Sequence, residues 1–209
     1  MLPIMALFWL TVNIVCCPAD AGAEQKKILV FGDSLVAGYG IPLEKAFPAQ
    51  LEKKLQALGY AVAVINAGVS GDTTSGGLTR LEWTLAQKPD FVILELGAND
   101  MLRAVDPAVT RENLRKMLDI LKAKKIPVLL AGMKATPNLG DEFVKSYAAM
   151  YKALAKQYHA VYYPFFMEGV TTHADLVQED GLHPTAEGVV VVVDNMLPAV
   201  KKLLKQKTK

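Results

Sequence analysis

Apolar runs of about five residues alternate along the chain with longer amphipathic stretches. Lys27 to Phe31, Ala61 to Ile65, Phe91 to Leu96, Pro127 to Ala131 and Val161 to Tyr163 read as buried strands, because they are continuous rather than alternating in polarity. Between them lie stretches with helical spacing. Phe47 to Leu58 repeats Leu51, Leu55 and Leu58 on one face and stops at Gly59. Thr73 to Gln87, Pro107 to Lys124 and Asp141 to Gln157 follow the same rhythm. The last segment is ambiguous: Val189 to Val193 is a run of valines, which favours a strand. It follows Pro184 and Thr185, a helix start, and leads into Met196, Leu197, Val200 and Leu204, so a helix from about Thr185 is expected, disturbed near Pro198.

This βαβα order predicts an α/β fold: a three-layer α/β/α sandwich around a mostly parallel, flavodoxin-like five-stranded sheet. Ligands then gather beyond the carboxyl ends of the strands. No internal repeat, low-complexity stretch or linker divides the chain, so one domain is expected, residues 24–209.

Residues 1–23 stand outside that pattern. Leu2 to Cys17 is almost wholly apolar, Lys and Arg are absent until Lys26, and Ala21-Gly22-Ala23 supplies small residues before a cut. The segment reads as a secretory signal peptide cleaved after Ala23, with Ala21 a second candidate. The alternative is a retained anchor, for which the apolar run is shorter than the roughly 20 residues of a spanning helix. Cleavage predicts a periplasmic or secreted protein with no stable membrane insertion. Both cysteines, Cys16 and Cys17, lie in the leader, so the mature chain has no disulfide, thiol nucleophile or thiolate metal site. The formal net charge of the whole chain is +2. Loss of Asp20 raises it by one, which gives no reason to expect nucleic acid as a partner. The lysines from Lys201 to Lys209 suit a solvated helix end.

Four segments at strand or helix ends carry the candidate chemistry. In Gly32-Asp33-Ser34-Leu35, Gly32 permits an abrupt turn that would present Ser34 at the mouth of the sheet, as a nucleophile or as a helix cap. No P-loop, dinucleotide fingerprint or Gly-x-Ser-x-Gly elbow is present. Asn66 to Thr73 carries Gly68 and Gly71, which let a backbone N–H approach a ligand, or forms an ordinary loop capped by Asp72 or Thr73. In Gly97-Ala98-Asn99-Asp100, the Asn99 amide could donate to an oxyanion or serve as a turn residue. In Asp180-Gly181-Leu182-His183-Pro184, an acid three residues before a histidine can fix its tautomer. His159 is expected on the surface, and the surroundings of His173 show no comparable turn. Glu95 interrupts an apolar strand, where a structural, hydrogen-bonded role near the mouth is expected. Asp33 and Asp100 are expected to hold loops.

Taken in order, the segments resemble those of the SGNH, or GDSL-type, hydrolases, over essentially the whole mature chain. The likeness is to the bacterial branch called thioesterase I, lysophospholipase L1 or arylesterase. It extends to Pro164-Phe165-Phe166-Met167-Glu168 and Leu94-Glu95-Leu96-Gly97. Ala98, where that branch often has a second glycine, and the loop Lys134 to Asn138 depart from it. The resemblance implies the SGNH hydrolase fold and a Ser34–His183–Asp180 triad. It also implies an oxyanion hole from the N–H groups of Ser34 and Gly71 with the Asn99 side chain, no cofactor and no metal. The implied substrate is a small acyl ester or thioester. Its neighbours along the loops, Leu102, Arg103, Pro137, Asn138 and Leu139, are candidates for the substrate pocket. An acyltransferase or carbohydrate O-acetyl esterase on the same residues, and a non-catalytic lipid- or carbohydrate-binding module, are the competing readings. Oligomeric state is not legible.

Overall fold

The computed structural model describes residues 25–208, so the expected leader lies outside the described residues. Five parallel strands form one sheet in the order β2-β1-β3-β4-β5: β1 Lys26–Gly32, β2 Val62–Gly68, β3 Phe91–Glu95, β4 Val128–Ala131 and β5 Val161–Tyr163. The helices are α1 Ser34–Ala37, α2 Phe47–Ala57, α3 Thr74–Thr84, α4 Ala98–Leu102, α5 Pro107–Ala123, α6 Asp141–Tyr158 and α7 Ala186–Leu204. α2 packs with α7, and α5 packs with both α3 and α6, which gives the two helical layers of the expected sandwich. Right-handed crossovers require this division, because the chain leaves β1 in one direction along the sheet and β2 in the other.

The three central strands have the burial expected of a sheet covered on both faces. Ile28 to Phe31, Val92 to Leu94 and Leu129 to Ala131 are inaccessible to solvent. The edge strand β2 differs. It runs to Gly68, past the expected end at Ile65, because Asn66, Ala67 and Gly68 stay in register with Val30, Phe31 and Gly32. Asn and Gly disfavour strands locally; pairing with a long neighbour overrides that preference.

The valine run resolves as helix. Thr185 caps α7 by accepting from Gly188 N–H at 3.1 Å. Val189, Val192, Val193, Met196, Val200 and Leu203 are buried, a spacing that only a helix places on one side. Pro198 lies inside α7 without ending it. The proline is exposed, so water can reach the carbonyl that its missing N–H leaves free. The expected disturbance is therefore confined to one hydrogen bond.

The winding reverses at β1, which has β2 on one side and β3 on the other, so the switch point lies between β1 and β3. In a doubly wound sheet this is where a crevice opens at the carboxyl ends. The turn bearing Ser34 follows β1, and the turn bearing Asn99 follows β3.

Candidate active site

Ser34 is the first residue of α1, and Asp33 caps that helix by accepting from Leu35 N–H at 3.0 Å. The two readings of the serine turn thus separate: the cap is Asp33, which leaves the Ser34 hydroxyl free to face the crevice. Gly32 makes the bend possible through close approach, since a Cβ there would lie 2.5 Å from Glu95 Oε2. Across the crevice, Ser34 Oγ lies 2.8 Å from His183 Nε2, and His183 Nδ1 lies 2.6 Å from Asp180 Oδ2. The second oxygen of Asp180 accepts from the backbone N–H groups of Leu182 and His183, at 2.9 and 3.0 Å. The bond from the His183 N–H, with further hydrogen bonds to that loop, holds the Asp180 carboxyl down at about 2. It is therefore ionised throughout the neutral range and fixes the proton of the imidazole on Nδ1, leaving Nε2 as an acceptor toward Ser34.

The loop of His183 is tied to the loop after α1. Gln178 Nε2 donates to Tyr39 O and to Pro184 O, both at 2.8 Å. The Tyr39 ring lies over the imidazole, with centroids 4.6 Å apart. His159 is exposed at the end of α6, as expected, and His173 is bonded to its neighbour Thr172.

Asn99 is in the short helix α4 rather than in an open turn. Its Nδ2 donates to Asp72 O at 3.0 Å and, more weakly, to Asp33 Oδ2 at 3.3 Å. Gly97, which precedes that helix, has φ 122°, a backbone region that suits glycine alone. The turn is held from α6: Tyr151 Oη donates to Leu96 O at 2.9 Å, and Tyr147 Oη donates to Gly97 O. Burial pushes the hydroxyls of both tyrosines upward, so they act as donors over the whole working range. Asp100 points inward and accepts from Thr74 N–H at 2.8 Å, tying α4 to the start of α3. Asp33 and Asp100 thus hold loops, as expected.

Arg80 was not distinguishable in the sequence from a solvated lysine or arginine of a helix face. In the fold it joins three pieces of the crevice. Its Nε lies 2.7 Å from Asp72 Oδ2, and its two terminal nitrogens donate to Ala67 O and Gly32 O, each at 2.9 Å. Its guanidinium lies 3.9 Å from the centre of the Phe31 ring. One side chain therefore fixes the ends of β1 and β2 and the Asp72 segment whose carbonyl holds Asn99.

Ser34, Gly71, Asn99 and His183 face one cavity of about 600 Å³. Leu102 and Pro137 line it. Arg103 does not; its Nη2 donates to Gly71 O at 3.0 Å and braces that loop instead. Asn138 and Leu139 do not line it either, because the turn Pro137–Leu139 carries Leu139 onto the hydrophobic core and leaves Asn138 exposed. Much of the apolar wall comes instead from Met101, Met133, Phe165 and Met167. In the sequence these look like ordinary core residues, and only α4 and the ends of β4 and β5 bring them to the crevice. Among the described residues no group of His, Cys, Asp and Glu is placed to hold a metal, and no helix is long and apolar enough to cross a membrane.

Comparison with known proteins gives this arrangement a family. The GDSL-like Lipase/Acylhydrolase family matches residues 30–190. The chain is 40% identical over 179 residues to the Arylesterase of Vibrio mimicus, covering 85% of this chain and 90% of that one. It is 37% identical over 183 residues to the Thioesterase 1/protease 1/lysophospholipase L1 of Escherichia coli (strain K12), covering 87% and 86%. The crystal structure of AlinE4, an SGNH-hydrolase family esterase, superposes with a TM-score of 0.74 at 46% identity, over 88% of this chain and 99% of that one. The chain belongs to the GDSL-like lipase/acylhydrolase family and is a serine ester hydrolase of the SGNH fold.

Proposed function

We propose that the protein is an exported serine esterase that cleaves carboxylic esters and thioesters through an acyl-enzyme on Ser34. The observation that carries this reading is the continuous relay from Ser34 Oγ to His183 Nε2 at 2.8 Å and from His183 Nδ1 to Asp180 at 2.6 Å. A binding module has no use for a serine activated in this way, and the relay counts against that alternative.

In the proposed reaction Ser34 Oγ attacks the acyl carbonyl while His183 Nε2 takes its proton. The carbonyl electrons move to oxygen, which accepts from the N–H groups of Ser34 and Gly71 and from Asn99 Nδ2. The long 3.3 Å contact of Asn99 with Asp33 is the one an oxyanion replaces; the shorter one to Asp72 keeps the amide in place. Collapse breaks the bond to the leaving alcohol or thiol, which takes the proton from His183. Water then attacks the acyl-enzyme with the same base, releasing the acid and restoring Ser34. The methionine-rich wall of the cavity receives the acyl group, since unbranched thioethers adapt to chains of different shape. Residues 1–23 are a leader removed on export, and residues 24–209 are the hydrolase domain. Names of relatives that include arylesterase and thioesterase support both leaving groups.

The test is hydrolysis of short p-nitrophenyl esters by Ser34→Ala. The variant is expected to lose turnover while its circular dichroism and melting stay those of the wild type. Undiminished hydrolysis by the folded variant overturns the proposal.

A further inference from the structure

Directly behind the nucleophile, two carboxyl groups lie together out of reach of bulk solvent. Asp33 follows β1 and Glu95 ends β3, and both are 0% exposed. Asp33 N–H donates to Glu95 Oε2 at 3.2 Å, whereas Glu95 Oε1 has no hydrogen-bond partner among the described residues. Among the described residues, neither carboxyl lies within salt-bridge distance of a cation; the nearby Arg80 is taken by Asp72. The remaining titratable groups around the pair add no compensating charge at Glu95. Asp72 faces Asp33, Asp100 is tied to α3, and Tyr147 and Tyr151 from α6 are neutral donors. His183 favours an ionised Asp33 when it is charged.

Two unpaired anions side by side away from bulk solvent carry both desolvation penalties and their mutual repulsion. One of them must hold a proton. The donors decide which. Asp33 receives Leu35 N–H and Asn99 Nδ2, while Glu95 receives one N–H and leaves an oxygen bare. A bare carbonyl oxygen of a neutral acid is far cheaper than a bare carboxylate oxygen. We propose that Glu95 is a positioning residue of the hydrolase site, a buried neutral acid that lets Asp33 alone carry the negative charge holding the Ser34 turn and the Asn99 amide. This rests on the reading of the site given above. As an acid, Glu95 carries its proton on Oε2, the oxygen that meets Asp33, and offers it to the Asp33 carboxylate, so Asp33 keeps a partner when Asn99 turns toward an oxyanion. The electrostatics agree in direction. Burial, then repulsion from Asp33, pushes Glu95 well above the carboxylate range, and burial raises Asp33 to about 6.

A native carboxyl that keeps its proton above its unfolded pKa binds more protons folded than unfolded. Its contribution to stability is therefore full below the unfolded value and is lost as pH rises toward the folded one. Glu95→Gln keeps the shape of the side chain and a donor for the Asp33 carboxylate but cannot ionise. Its melting temperature relative to wild type is expected to climb as pH rises above 5, with kcat close to that of wild type. Glu95→Leu, which keeps neither bond, is expected to lose kcat about 10²-fold with KM little changed, as a displaced catalytic turn does. An isotope-edited infrared difference spectrum between wild type and Glu95→Gln is expected to show the carbonyl stretch of a protonated carboxylic acid at pH 7. This readout needs neither a folded Leu variant nor any esterase activity, so it separates failure of this proposal from failure of the hydrolase reading. A carboxylate band in its place, or a melting difference that does not change with pH, overturns the neutral acid. Loss of kcat in Glu95→Gln as large as in Glu95→Leu overturns the positioning role.

Discussion

Arg80→Met removes the clamp and leaves the apolar stem. The ion pair with Asp72 is mostly buried, with side-chain exposures of 20% and 10%. Stranding Asp72 there, with two strand-end carbonyls also stripped of a charged donor, costs about 3 kcal/mol at the lower end of the range for broken buried pairs. Counting the hydrogen bonds separately would double the same loss, so they are not added. At about 2–4 °C per kcal/mol for a chain of this size, the melting temperature is expected to fall by about 6–12 °C. Activity falls as well, because Asp72 O is the short acceptor of Asn99 Nδ2. A shift of about 1 Å in that amide corresponds to about 10²-fold in kcat. Arg80→Lys rescues little, since an ammonium cannot serve Asp72, Ala67 and Gly32 with the fixed fork of a guanidinium. Thermal melting and steady-state hydrolysis of a short p-nitrophenyl ester, on the same preparations, give both numbers. A methionine variant that melts within about 2 °C of wild type, below the 1 kcal/mol such a shift represents, with unchanged kcat, refutes the clamp.

Two further substitutions test the crevice from its other side. Asn99→Ala is expected to lower kcat about 10²–10³-fold, the loss that follows removal of one oxyanion donor, while KM changes little; a variant with reduced affinity and intact turnover counts against that role. Gly97→Ala places a methyl against Tyr151 at a backbone angle of 122°. It is expected to destabilise the fold by at least the roughly 1–3 kcal/mol of such backbone strain; equal melting of the two proteins contradicts the account of that turn.

The strands and helices were legible because burial imposes a period, and β1, β3 and β4 are covered on both faces. The edge strand was read short because Asn66 and Gly68 declare a loop locally, and only the register with β1 extends it. The valine run was ambiguous for the opposite reason. Its β-branched residues favour a strand, while the cap at Thr185 and the burial spacing impose a helix. Ser34, Asp180 and His183 were visible because the chemistry needs those residue types at element ends, and the fold brings them together. Residues that shape the crevice without chemical peculiarity were not visible. Met133 and Phe165 look like core, Arg80 looks like surface, and Leu139, which faces the core, looks like a pocket residue. Their roles depend on which strands are neighbours, which local sequence does not state. Glu95 lies between these cases: a charge in an apolar strand marked it as unusual, but its partner, 62 positions away in the chain, appears only in the sheet.

Covalent labelling shows whether Ser34 is the activated nucleophile. Wild-type protein is treated with a fluorophosphonate, digested, and the adduct mapped by mass spectrometry. A single adduct on the Ser34 peptide is expected, absent in Ser34→Ala and formed far more slowly in His183→Ala. An adduct on another serine, or an actively hydrolysing protein that takes up no label at Ser34, contradicts it.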